Sequence, residues 1–212
     1  MSIVIQAFSD YVCPYCYLGE TILQRAAAAT GAEVVRRAYQ LSESGAPPLD
    51  AQRLNAAWEN TIYPTAAKLG VEIRQPSHSP STRQAHEAAA WARRQGCFEG
   101  FHTKLFRSYF LEDKDLGELS VLKEIAWQSG LNPAELEKVL AEGRTAEDID
   151  EDLLIAQTYG INFVPTFVVS GHLLRGVQEE AMLIKVIELA SEGKLDAETR
   201  KLPHLPVTIT RG

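Results

Sequence analysis

The chain is poor in cysteine, with three in 212 residues, and it lacks the features that mark several broad classes of protein. A basic stripe is missing. Lys and Arg number 21 against 28 Asp and Glu, mixed along the chain for a net charge of −7, so nucleic acid is not an expected partner. No apolar run approaches the roughly 20 residues of a membrane span, so no membrane partner is expected. The first residues carry no basic n-region, and their apolar run is too short for a secretory leader. A cytoplasmic location is the resulting expectation. Disulfides there are transient, so two cysteines close in sequence point to catalysis or metal binding rather than to a structural staple. A zinc site needs about four ligands. Beyond one cysteine pair only Cys97 remains, and His78, His86, His102, His172 and His204 form no metal-ligand pair. No metal and no tightly bound cofactor are therefore expected, although a zinc half-site or inert buried thiols remain the plainer alternatives for the pair.

What is present centres on Cys13-Pro14-Tyr15-Cys16, which follows the apolar run Ile3–Phe8 and opens a helical run at Tyr17-Leu18. Two thiols three residues apart at a helix start share one helix face, a spacing that suits a reversible disulfide. With Cys13 as N-cap, Pro14 falls at N1, where its missing N–H is no loss. The N–H groups of Tyr15 and Cys16 are then free to donate to the first sulfur, and the helix dipole favours an anion there. The pattern predicts a stabilised, partly exposed and nucleophilic Cys13.

A hydrophobic content of 45% can fill one core, in a single domain or a domain carrying an insertion. Leu18 to Thr30 reads as a helix ended by Gly31, and Glu33 to Tyr39 as a strand, so the chain opens as a βαβ unit. Ser42 to Pro48 breaks the pattern, and the signals from Asp50 to about Gly160 are almost all helical. Asp50 caps a helix that Pro64 must kink or end. Ser81 with Gln84 reads as a capping box. Phe98, Phe101, Leu105 and Tyr109 mark a buried face of the next helix. Further helices start at Ser120, at Asn132-Pro133 and at Thr145. The run Phe163 to Val169 returns to strand, Ser170-Gly171 turns it, and His172 to Gly176 pairs with it as a hairpin. A terminal helix spans Gln178 to Gly193, and a short strand at Val207 to Thr210 is a further expectation. The reading is an α/β chain with a helical middle.

These units resemble the DsbA family of thioredoxin-like proteins, in particular its FrnE-like branch. Four segments carry the resemblance: Phe8-Ser9-Asp10-Tyr11-Val12-Cys13-Pro14-Tyr15-Cys16, Ser81-Thr82-Arg83-Gln84-Ala85-His86, Gly160-Ile161-Asn162-Phe163-Val164-Pro165-Thr166-Phe167, and Gly176-Val177-Gln178. The resemblance implies a thioredoxin-like domain made of residues 1–45 and 161–212, interrupted by a helical domain of residues 46–160. It implies that Cys13 is the attacking thiol, Cys16 the resolving thiol and Pro165 a cis-proline facing them. Pro14, Tyr15, Val164, Thr166 and His86 then lie beside the substrate, with the Val164 backbone free to pair with an extended chain. His86 could equally be a helix histidine held by an internal hydrogen bond. Asp10 is expected to orient the turn or to take up a proton from Cys16.

The implied activity is thiol–disulfide exchange on disulfide-containing proteins or glutathione mixed disulfides, with glutathione as reductant or co-substrate. In a reducing compartment this means reduction or isomerisation. The middle dipeptide Pro14-Tyr15 matches the glutaredoxin type rather than the Pro-His of the periplasmic oxidant. A helix dipole supplies at most about 2 kcal/mol, so a potential between the reductase and oxidant extremes is expected. A glutathione-dependent transferase or isomerase related to the kappa-class and 2-hydroxychromene-2-carboxylate enzymes is the rival, though those place serine where Cys13 stands. A redox sensor or holdase is the non-enzyme alternative. Both a monomer and a homodimer fit the sequence.

Overall fold

The computed structural model describes residues 2–41 and 50–195. The opening apolar run forms strand β1 (Val4–Ser9), and helix α1 (Pro14–Thr30) follows the cysteine pair. Gly31 closes α1 at φ 70°, donating to the Ala27 carbonyl from a left-handed conformation that glycine adopts without a Cβ penalty. Strand β2 (Glu33–Ala38) lies parallel to β1, with Ala7 opposite Arg36. Strands β3 (Thr166–Val169) and β4 (His172–Arg175) complete a sheet of order β2-β1-β3-β4, with β3 antiparallel to both of its neighbours. Their hairpin turns through Ser170 and Gly171, both at positive φ, as a two-residue turn between right-twisted strands requires.

Alternation along β1 assigns the two faces. Ile5 and Ala7 pack with Ile22 and Leu23 of α1, Phe167, and Leu183 and Val186 of the last helix, α9 (Glu180–Ser191). Phe8 points to the opposite face and joins Val168, Leu173 and the helices that fall between β2 and β3. These are α2 (Ala51–Ala57), α3 (Tyr63–Leu69), α4 (Arg83–Arg94), α5 (Phe98–Phe110), α6 (Leu119–Gln128), α7 (Pro133–Ala141) and α8 (Ala146–Thr158). Of the expected aromatic stripe on α5, Phe101, Leu105 and Tyr109 are buried along with Phe106 and Phe110, whereas Phe98, at the first turn, is half-buried under Arg93. Among the described residues no helix is long and apolar enough to cross a membrane.

Several boundaries differ from the sequence reading. Pro64 does not end its helix, because a π turn over Trp58–Ile62 joins α2 to α3 and Tyr63 N–H reaches the Trp58 carbonyl. Widening the ladder there accommodates the donor that proline lacks. Ser81 is not the cap of α4. The helix starts after Thr82 with no side-chain cap, and Arg83 instead ties it to Glu87 and to Asp150 and the Ala146 carbonyl of α8. Glu118 rather than Ser120 precedes α6. Phe163, Val164 and Pro165 bend before the ladder begins at Thr166, since Pro165 has no N–H to give it. The segment Ser42 to Pro48 and the expected strand Val207 to Thr210 lie outside the described residues.

Candidate active site

The N-terminus of α1 assembles the centre of the site as the local sequence dictates. Cys13 is the N-cap in an extended conformation (φ −88°, ψ 113°), Pro14 opens the helix, and the Cys16 N–H donates to Cys13 Sγ at 3.4 Å. The loop before β3 supplies the facing wall. The Val164–Pro165 peptide bond is cis, and the Cys13 thiol donates to the Val164 carbonyl at 3.7 Å. Residues 151 positions apart in sequence thus meet at one sulfur. Cys13 is only 4% exposed, more covered than an N-cap thiol alone would be, because this loop lies against it. Cys16 is 2% exposed.

The two thiols have different surroundings. Burial pushes the Cys16 thiol well above its ordinary value, and the Cys13 side chain and its charge push it further. The Asp10 backbone amide pulls the other way, while the Asp10 carboxylate again opposes the thiolate. Cys16 is therefore held protonated near neutral pH.

The remaining residues expected at the site fall into three places. Tyr15 lines a groove of about 570 Å³ beside the cysteines, together with Phe163, Val177, Gln178, Thr65 and Lys68. Phe163 is half exposed at its mouth. Val164 buries its side chain, and its N–H has no hydrogen-bond partner among the described residues. Thr166 is fully buried and its hydroxyl donates to the Phe163 carbonyl at 2.6 Å, so it fastens the loop from behind rather than facing the groove. His86 is not in the groove. It is buried on α4, with Nε2 3.1 Å from the Tyr39 carbonyl and its ring 4.7 Å from that of Tyr11.

Sequence reading missed two contributors. Gly19 stands where α1 crosses the loop, and a Cβ there would come within 3.3 Å of Pro165 Cγ. Glu20, one residue on, is partly buried and binds Arg36 through Arg36 Nε at 3.0 Å, with His102 Nε2 at 3.5 Å. Burial pushes the Glu20 carboxyl up, but His102 and Arg36 more than offset this and hold it well below the ordinary carboxylate range. Gly19 lies in the helix interior, where glycine is disfavoured, and that mismatch was the available signal.

A thioredoxin-type sheet with a buried dithiol at a helix start, facing a cis-proline loop, defines a class of redox protein. The model of the DSBA-like thioredoxin domain matches residues 4–188, and the chain belongs to that family, whose members are thiol–disulfide oxidoreductases. It is 31% identical over 194 residues to protein YwbO of Bacillus subtilis (strain 168), covering 88% of this chain and 96% of that one. The probable DsbA oxidoreductase SCO1869 of Streptomyces coelicolor superposes with a TM-score of 0.79 at 23% identity, over 98% of this chain and 94% of that one. A 2-hydroxychromene-2-carboxylate isomerase superposes at 0.76 and 16% identity, over 93% and 98%. The cytosolic disulfide reductase DsbM of Pseudomonas aeruginosa with GSH does so at 0.63 and 16%, again over 93% and 98%.

Proposed function

We propose that this protein is a cytoplasmic reductase or isomerase of disulfides, of the FrnE-like branch, working through Cys13 and Cys16. The observation that carries the reading is the meeting of Cys13 Sγ with the Cys16 N–H on one side and the Val164 carbonyl beside Pro165 on the other. The Cys13 thiolate attacks one sulfur of a substrate disulfide, forming a mixed disulfide and expelling the other sulfur as a thiolate that takes a proton from water. Cys16 then attacks Cys13. The Cys13–Cys16 bond forms, the second substrate sulfur leaves, and the substrate is reduced by two electrons as the dithiol is oxidised. Two molecules of a small thiol such as glutathione return the pair to the dithiol and leave joined as their own disulfide.

The unpaired Val164 N–H suits an extended substrate backbone laid beside the loop, as in strand addition. The groove next to it offers an apolar wall at Tyr15 and Phe163 and opposite charges at Lys68 and Glu180. Such a lining accommodates either a peptide or the zwitterionic end of glutathione, which makes glutathione mixed disulfides substrates and glutathione a co-substrate. In this reading the helices between β2 and β3 form an insertion domain (residues 46–160) in a thioredoxin-like domain of residues 1–45 and 161–212.

The test is multiple-turnover reduction of a model disulfide with glutathione. Cys13→Ser is expected to abolish turnover, and Cys16→Ser to halt at a mixed disulfide visible by mass. Wild-type protein whose cysteines never cycle between bonded and free forms would remove the proposal. The likeness to an isomerase fold favours one second reading, glutathione-dependent isomerisation or transfer. Steady turnover of an electrophile with glutathione by Cys16→Ser would support that reading instead.

A further inference from the structure

At the β2 edge of the sheet lies a second cavity, of about 250 Å³, walled by the ends of β1 and β2 and by α4, α5 and α8. It shares no lining residue with the groove beside Tyr15. At about 30 Å³ per water its volume is that of about eight waters, so it suits a small molecule rather than a chain. The wall on α4 follows from helix period. His86, Ala89, Ala90 and Arg93 stand at i, i+3, i+4 and i+7 of one face, and the two alanines leave a trough about 10 Å long between histidine and arginine. Ala90 packs with Ala38 and Ile149, which makes the middle of the trough apolar.

Most charges on the wall are already matched. Arg36 binds Glu20 and Glu99, Arg37 binds Asp152, and Arg94 binds Asp148. Two are left over, Arg93 of α4 and Glu151 of α8, both exposed at the solvent side of the cavity and neither with an ion-pair partner among the described residues. Arg93 is nevertheless held in place. Its Nη2 donates to the Arg36 carbonyl at 2.7 Å, and its guanidinium lies 4.2 Å from the centre of the Phe98 ring. Its Nε and Nη1 have no hydrogen-bond partner among the described residues, which leaves a fixed planar fork of the shape that takes a carboxylate. The inner end carries unspent neutral groups. The Ser9 hydroxyl makes no hydrogen bond among the described residues. His86 turns Nε2 to the Tyr39 carbonyl and the Asp10 carboxylate, so that nitrogen carries the hydrogen and Nδ1, unpartnered among the described residues, is an acceptor in the neutral ring.

We propose that this cavity binds a free α-amino acid with a polar side chain, its carboxylate on Arg93, its ammonium at Glu151 and its side chain directed along the alanine trough toward Ser9 and His86. A plain anion would satisfy Arg93 and stand opposed to Glu151, whereas a zwitterion answers both leftover charges. A side chain ending in an amide suits the inner end, because its N–H can donate to His86 Nδ1 and its carbonyl can accept from the Ser9 hydroxyl. L-Glutamine carries all of these groups. Neither Cys13 nor Cys16 lines the cavity, so the amino acid binds beside a disulfide substrate and not in its place. Tyr11 is on the inner wall, two residues before Cys13, and the occupied cavity therefore borders the active-site turn without blocking it.

Titrating the full chain with L-glutamine, followed by the backbone amide resonances, tests this. Saturable shifts are expected in residues 86–94 and 148–152, with a dissociation constant in the millimolar range or below. Arg93→Gln is expected to weaken binding about tenfold. Glu151→Gln is expected to weaken L-glutamine by up to about fivefold, while propionate, which lacks the ammonium, binds that variant no worse than wild type. Cys13→Ser should bind L-glutamine as wild type does, so that a failure of the thiol–disulfide reading and a failure of this site are seen separately. Wild-type protein without saturable shifts, or with shifts confined to residues 65–69 and 176–180 of the other groove, overturns the proposal. Propionate that binds wild type as tightly as L-glutamine overturns it too. Should Arg93→Gln fail to fold, the comparison of the two ligands on Glu151→Gln decides the matter, and equal weakening of both overturns the proposal.

Discussion

At the scale of single residues, the site is a set of buried charges whose partners are fixed by distant segments. Glu20 is the clearest case. Its carboxylate is stabilised in the folded state by Arg36 and His102, despite a burial that opposes ionisation. Because folding lowers its pKa, the stabilisation is complete above the ordinary value of 4.5 and is lost as the pH falls through the lower folded value. Glu20→Gln is expected to cost about 3 kcal/mol near neutral pH, since it leaves Arg36 and His102 short of a buried partner. The difference from wild type should shrink as the solution is made acidic. Thermal unfolding followed across pH checks this, and a difference independent of pH would remove the assignment.

At the scale of elements, the contact between α1 and the loop before β3 sets the geometry of the cysteines. Gly19 allows it: the nearest loop atom would stand 3.3 Å from an added Cβ, tighter than ordinary packing. Gly19→Ala gains about 1 kcal/mol of helix propensity and loses a comparable amount to the crowding. Stability within about 1 kcal/mol of wild type is therefore expected, with slower disulfide exchange because the Val164 carbonyl is displaced from Cys13. Parallel measurement of unfolding and turnover separates the two effects, and an unaltered turnover would show that the loop position is not limiting.

At the scale of the whole molecule, the helices inserted between β2 and β3 are pinned to the sheet by polar contacts as well as by the Phe8 face. Asp152 of α8 accepts from Arg37 at 2.7 Å and from the Ala38 N–H at 2.8 Å, at the free edge of β2. Asp152→Ala leaves the buried Ala38 N–H unpaired and the partly buried Arg37 guanidinium with only its bond to Gln6. A loss of about 2–3 kcal/mol is expected, little changed by salt because the pair is shielded from solvent. Chemical denaturation at two ionic strengths tests it. A strongly salt-dependent loss would place Asp152 among ordinary surface pairs.

The sequence by itself determined the elements whose signals are local. The Cys13 cap with Pro14 behind it, the Gly31 stop, the aromatic face of α5 and the Ser170-Gly171 turn each depend on residues within a turn or two. For that reason they could be read before any fold was known. The likeness of four separated segments to a known family extended that reading to the cis-proline loop, but local pattern alone could not have brought Pro165 to Cys13. Only the tertiary structure decided that both sulfurs are covered and which groups surround them. It turned His86 away from the groove beside Tyr15 and toward Asp10, made Thr166 a fastener of the loop, and replaced the Ser81 cap with bridges from Arg83 to α8. Burial and charge pairing are properties of what packs around a side chain, and the residues that pair with Asp10 and Glu20 come from β2 and the segment just after it, from α4 and from α5. A sequence records the identity of such groups, but their protonation and reach follow from the neighbours that folding supplies.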